Sequence, residues 1–111
     1  MWIGRRPIGQ GVTLRGDEGQ IILRPRRVDW DDPAAIFLVR EAGHEDKEVC
    51  IPLGSLQEIR PNVRISVLRV SWAILKGNSS QVIEFGVTVP DGTAILHREE
   101  PPVQVLTSAS T

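Results

Sequence analysis

Along this chain Val63, Ile65 and Val67 alternate with Arg64, Ser66 and Leu68, the pattern of a strand with one buried face. No window sustains helical spacing. β-branched and aliphatic runs recur at short intervals instead, separated by Gly, Pro, Asn and Asp, which predicts an all-β fold. The runs place strands at about Met1–Arg6, Gly11–Leu14, Gln20–Leu23, Ala35–Glu41, Glu48–Pro52, Asn62–Leu75, Gln81–Val89 and Thr93–Arg98. Lys76-Gly77-Asn78-Ser79-Ser80 and Pro90-Asp91-Gly92 carry turn chemistry, so Asn62–Arg98 reads as a three-stranded meander. Ala35–Glu41 and Glu48–Pro52 read as a separate hairpin around Gly43-His44-Glu45-Asp46-Lys47. Leu53, Leu56 and Ile59, spaced by three, predict a helical turn over Ser55–Ile59. From Pro101 onward two prolines and a Ser/Thr-rich end offer no core face, and this tail is expected to fray.

Composition narrows the class. A chain of 111 residues, 41% hydrophobic and 24% charged, suits one globular domain with one modest core. The single Cys50 sits in Val49-Cys50-Ile51, which predicts a buried thiol in a reducing compartment. The first residues, with Arg5 and Arg6, lack an apolar run of signal-peptide length. No stretch approaches a membrane span, so a cytoplasmic protein is expected.

A net charge of −1 argues by itself against a nucleic-acid binder. The distribution changes that picture: residues 1–27 carry +4, residues 28–59 carry −6 and the remainder carries +1. A basic frame surrounds an acidic middle, and its cations are nearly all arginine, the side chain that stacks on bases and forms bidentate hydrogen bonds.

Chemistry that would make an enzyme is not grouped here. His44 lies in a charged turn, and His97, beside Arg98, has no nucleophile or orienting partner at a recognisable spacing. Neither histidine has a second metal-ligand residue at a suitable interval, and no metal or cofactor is expected. Asp31-Asp32 and Glu99-Glu100 are adjacent, which sends their carboxylates to opposite sides of an extended chain. Among the tryptophans, Trp72 in the long strand reads as core and Trp30 is set between carboxylates. Trp2 sits beside Arg5 and Arg6, where packing and base stacking both remain open.

Two groups of residues carry a resemblance. Near the end of the chain come Lys76-Gly77-Asn78, Gln81-Val82, Phe85-Gly86-Val87, Pro90 and Ala94-Ile95-Leu96-His97-Arg98-Glu99-Glu100. At the start come Met1-Trp2-Ile3-Gly4-Arg5-Arg6, Gly9, Val12-Thr13-Leu14 and Gly16-Asp17-Glu18. In this order they resemble the carbon storage regulator family of bacterial translational regulators. The resemblance implies an intertwined, strand-exchanged β homodimer, barrel-like in its sheet, with the first strand of one protomer beside the last strand of the other. It further implies binding of GGA-type single-stranded loops in an mRNA 5′ leader or a small regulatory RNA. Carried over by position, the RNA-binding residues are Gly4, Arg5 and Arg6 in the first strand and Leu96, His97 and Arg98 in the last.

The chain departs from the family's pattern in three places. Residues 24–62 form an acidic insert in an otherwise single domain of residues 1–111. The chain is one residue shorter before the arginine pair, with Pro7 directly after it. Pro101-Pro102 and a Ser/Thr tail replace a charged C-terminal helix. Two functions follow as expectations: an RNA-binding regulator, and a protein-interaction module that keeps the scaffold and presents the insert to another protein.

Overall fold

A computed structural model describes residues 1–17 and 19–100. Every regular element in it is a β-strand: β1 Trp2–Pro7, β2 Val12–Gly16, β3 Gly19–Asp29, β4 Ala34–Glu41, β5 Lys47–Pro52, β6 Leu56–Arg60, β7 Val63–Leu75, β8 Asn78–Thr88 and β9 Ala94–Leu96. They build two antiparallel sheets, one ordered β1-β8-β7-β6 and the other β5-β4-β3-β2-β9. No helix among the described residues is long and apolar enough to cross a membrane. The expected fraying tail, 101–111, lies outside the described residues.

Alternation along each strand supplies the core. Val12, Leu14, Ile21, Leu23, Phe37, Val39 and Ile51 face inward from the five-stranded sheet, and Val63, Ile65, Val67, Ile83, Phe85 and Val87 from the four-stranded one. Phe37 and Phe85 meet edge to face across the sandwich, ring centroids 5.1 Å apart. The run Ala34–Val39 is buried on both faces. On the outer side Ile36 and Leu38 are flanked in register by Arg27, Cys50, Arg24 and Glu48. Long charged side chains can shield apolar neighbours with their stems while their heads stay in water.

Several expectations are corrected. The last strand is not the third strand of a meander: β9 pairs with β2, Leu96 opposite Thr13, because β1 already occupies the outer edge of β8. The turn at Pro90–Thr93, closed by the Thr93 amide donating to the Pro90 carbonyl at 3.2 Å, passes the chain to the other sheet, where Ile95 packs on the core. Ser55–Ile59 makes no helical turn. Five residues cannot sustain a helix, and the edge of β7 offers Leu56–Arg60 a strand's hydrogen bonds. The strand expected at Gln20–Leu23 runs on to Asp29, since a register shift between Pro25 and Arg27 accommodates the proline.

Cys50 is exposed, not buried. Strand parity turns Ile51 inward and Cys50 outward, opposite Ile36. Trp72 is 60% exposed rather than core, because β7 outruns the sheet it packs against. The β4–β5 hairpin is joined through β3 to the larger sheet rather than standing apart.

Candidate nucleic-acid interface

β1 and β9 are the terminal strands of their sheets, and they lie on the same side of the sandwich. Alternation puts Trp2, Gly4 and Arg6 on one face of β1. A Cβ on Gly4 would run into the Trp2 indole, so glycine is what lets the ring lie down on its own strand. The indole meets Phe85 edge to face at 5.7 Å and His97 at 6.0 Å. Arg6 then covers it, its guanidinium carbon 5.4 Å from the ring centroid, a cation–π distance. Arg6 donates through Nη2 to the His97 carbonyl at 3.2 Å and through Nη1 to the Arg5 carbonyl at 2.8 Å. Its contacts among the described residues are carbonyls and a ring rather than carboxylates.

Past β9 the chain continues as a strap, Arg98–Glu100, beside β2. Thr13, with 0% of its surface exposed, donates through its hydroxyl to the Arg98 carbonyl at 2.9 Å and accepts from the Glu100 amide at 2.8 Å. Arg24 grips Glu99 through two hydrogen bonds of 2.7 and 2.5 Å, and Arg15 holds Glu100 at 3.0 Å. The Arg24 hydrogen bonds and, behind them, its charge and the Gly11 amide hold the Glu99 carboxyl below the ordinary carboxylate range. With its carbonyl fixed, Arg98 extends a side chain that is 83% exposed and touches Glu100 only at 3.5 Å.

The six residues singled out by resemblance therefore separate. Gly4, Arg6 and His97 converge around Trp2, whereas Arg98, next to His97 in the chain, extends into solvent beside Glu100. Arg5 faces the other way, in register with Glu84 on the outer side of the four-stranded sheet. Leu96 shares its face with Thr13 and points away from Trp2. Thr13, Arg24 and the Glu99-Glu100 pair escaped sequence reasoning as positioning groups. The available signal was a hydroxyl between two core residues, Val12 and Leu14, which needs a partner wherever it is buried.

Charge resolves in the same way. In the acidic middle, Asp46 pairs with Arg40, Glu48 with Arg26 and Arg27, Glu41 with Arg60, and Glu58 with Arg64. Hydrogen bonds from Arg40 and Arg27 hold Asp46 and Glu48 below their ordinary pKa. Within that middle the carboxylates without an ion pair among the described residues are Asp29, Asp31 and Asp32, at the end of β3 and in the turn after it, and Glu45.

No group of three or more potential metal ligands occurs among the described residues. The concavity walled by Leu14, Ile21, Arg60 and Thr93 is lined by none of Trp2, Arg6, His97 or Arg98, and the site is an edge rather than a pocket. No protein-family model matches the chain, and neither a curated protein nor a solved structure matches it.

Proposed function

We propose that the chain is a sequence-specific, single-stranded RNA-binding regulator of mRNA translation or stability, working as a homodimer that presents the β1/β9 edge of each copy to a GGA-type loop. The observation that carries this reading is the Trp2–Arg6–His97 cluster, with exposed Arg98 following His97 in the chain. It sits at two strand edges that no further strand pairs with among the described residues, and its cations are not bound up there by strong ion pairs. Unpaired bases expose their edges and faces to backbone groups, rings and arginine forks, whereas duplex RNA hides them in a deep groove. The family resemblance in the first and last strands supports the same choice of ligand. So does the pairing of the acidic middle, where half of the carboxylates are neutralised by arginines and repel a phosphate chain less. The protein-interaction reading keeps one favourable observation, the exposed Asp29-Trp30-Asp31-Asp32 turn.

The test is titration of the full chain with an RNA hairpin bearing GGA in its loop, beside the same hairpin carrying CCA. The GGA hairpin is expected to bind and the CCA hairpin to bind much more weakly. Arg6→Ala and Arg98→Ala should each cost about 1.5–3 kcal/mol of the specific binding, the worth of a charge-assisted hydrogen bond. Arg40→Ala should leave it unchanged. Equal affinity for both hairpins, or equal small losses at all three arginines, would reduce the interaction to diffuse attraction and favour the protein-interaction reading.

A further inference from the structure

The β7–β8 hairpin reaches beyond the sandwich as an arm. β6 pairs with β7 only from Val63 to Ser66, and Val67 is met by the connection at Gly54 and Ser55. Farther along, no strand among the described residues lies on that side of β7, although β8 continues on the other side to Asn78. Lys76 and Gly77, both at positive φ (51° and 81°), close the arm as a two-residue turn between Leu75 and Asn78. In such a hairpin the flanking pair exchanges both hydrogen bonds. Strand alternation then points the backbone of Ala73 toward β8 and presents the N–H and C=O of Trp72 and Ile74 to the open edge.

This edge is also apolar. Val70, Trp72 and Ile74 share one face, and only Val70 is packed on the core. Trp30, from the β3–β4 turn, stacks on Trp72 with centroids 6.1 Å apart and rings 4° from parallel. Even so, Trp30 is 45%, Trp72 60% and Ile74 76% exposed. An open strand edge beside an apolar patch is a template for another strand. The charges say what kind. Asp29, Asp31 and Asp32 surround Trp30, and Lys76 stands at the tip, none of them ion-paired among the described residues. The carboxylates turn away a phosphate chain. A strand with a cation one step past its apolar residues suits them, and the arm itself is such a strand.

We infer that two copies of this chain pair through their β7 arms, antiparallel and centred on Ala73. Trp72 of each copy lies beside Ile74 of the other, in a hydrogen-bonded pair, and each Lys76 reaches toward the Asp29–Asp32 turn of its partner. The contact is isologous, so one surface satisfies both copies, and it joins two four-stranded sheets into a continuous one. Because β1 is separated from β7 by β8, this dimer leaves the β1/β9 edges uncovered. The inference gives the homodimer of the RNA reading an interface, but it is argued from the arm alone and survives a failure to bind RNA.

The experiment is light scattering of the full chain across micromolar to submillimolar concentration, with thermal melts to confirm folding. A dimer is expected. Ile74→Asp, at an exposed position, should weaken it about tenfold or more while leaving the melt in place. Lys76→Glu should weaken it as well, and adding Asp31→Lys and Asp32→Lys should restore it. In a Cys50→Ser background, Ala73→Cys should form a disulfide-linked dimer on oxidation, since that position faces itself across the two-fold axis. A monomer throughout overturns the proposal. So does a dimer that ignores Ile74→Asp and fails to cross-link through Ala73→Cys, because that dimer is built elsewhere, on β1 and β9 or with another occupant on the arm. Binding of the GGA hairpin by monomeric Ile74→Asp reports on the RNA reading separately.

Discussion

Gly4 is held to its identity by a neighbour rather than by its own backbone. The Trp2 indole occupies the space where a Cβ would stand, and from there it touches Phe85, His97 and Arg6. Gly4→Ala should lift the ring, costing about 1–3 kcal/mol by overpacking, as measured by denaturant unfolding. Tryptophan emission should shift with it, because Trp2 loses its shield. Unchanged stability and emission would mean the indole does not rest on the strand. At this scale the sequence was legible where parity alone decides: Val63, Ile65 and Val67 are core as their alternation requires. It misled at Cys50, where apolar neighbours suggested burial but parity along β5 sends the thiol outward. It misled again at Trp72, whose face is the core face, on a part of β7 that no opposing sheet among the described residues meets.

Among the elements, the strap is what turns a weak last strand into a fixed edge. β9 has three residues and one strand partner, too little to hold His97 and Arg98 in place. Thr13→Val keeps the shape of the side chain and removes both bonds, leaving the Arg98 carbonyl and the Glu100 amide without their partner. The expected loss is about 1–3 kcal/mol. Hydrogen exchange should quicken at the Glu100 amide while amides of β3 and β4 stay protected, and equal protection at Glu100 in variant and parent would sink the latch. Glu99 adds a pH signature. Arg24 depresses its pKa in the folded chain, so its contribution to stability is complete above the unfolded value of about 4.3 and is lost as pH falls through the lower folded value. Glu99→Gln should therefore be less stable than the parent near neutral pH, by roughly 1 kcal/mol for a partly exposed pair, and equally stable in strong acid. A gap that persists at low pH would point to packing instead of the ion pair. Sequence placed this segment next to β8 because a hairpin is the nearest option along the chain. It could not show that β1, from the other end, had already taken that edge.

Across the whole molecule, charge that looks segregated along the sequence is interleaved in space. The −6 of residues 28–59 depends on where the window is cut: residues 24–64 hold seven cations against eight carboxylates, and four of those carboxylates, Glu41, Asp46, Glu48 and Glu58, are in ion pairs. The same residues carry β4 and β5, with Phe37 and Ile51 in the core, so cutting them out would remove the sandwich's wall along with the charge. The basic N-terminal region is spent likewise, since Arg15, Arg24, Arg26 and Arg27 are tied to Glu100, Glu99 and Glu48. What remains for phosphates at each edge is Arg6 and Arg98, with Arg5 on the opposite face of β1 as a third cation within reach of a chain that crosses the edge. For single strands the logarithm of affinity falls with the logarithm of salt at about −0.7 per neutralised phosphate, so three contacts predict a slope of roughly −2. A fourfold rise in salt should then cost roughly twentyfold in affinity for the GGA hairpin, and Arg98→Ala should flatten the slope by about 0.7. If the basic frame acted as a whole, six arginines would give roughly −4, and removing one of them would leave the specificity for GGA over CCA intact. Measured slopes near −2 that flatten with Arg98→Ala, together with a loss of that specificity, place recognition at the β1/β9 edge; a slope near −4 with specificity retained assigns it to the general field of the N-terminal strands.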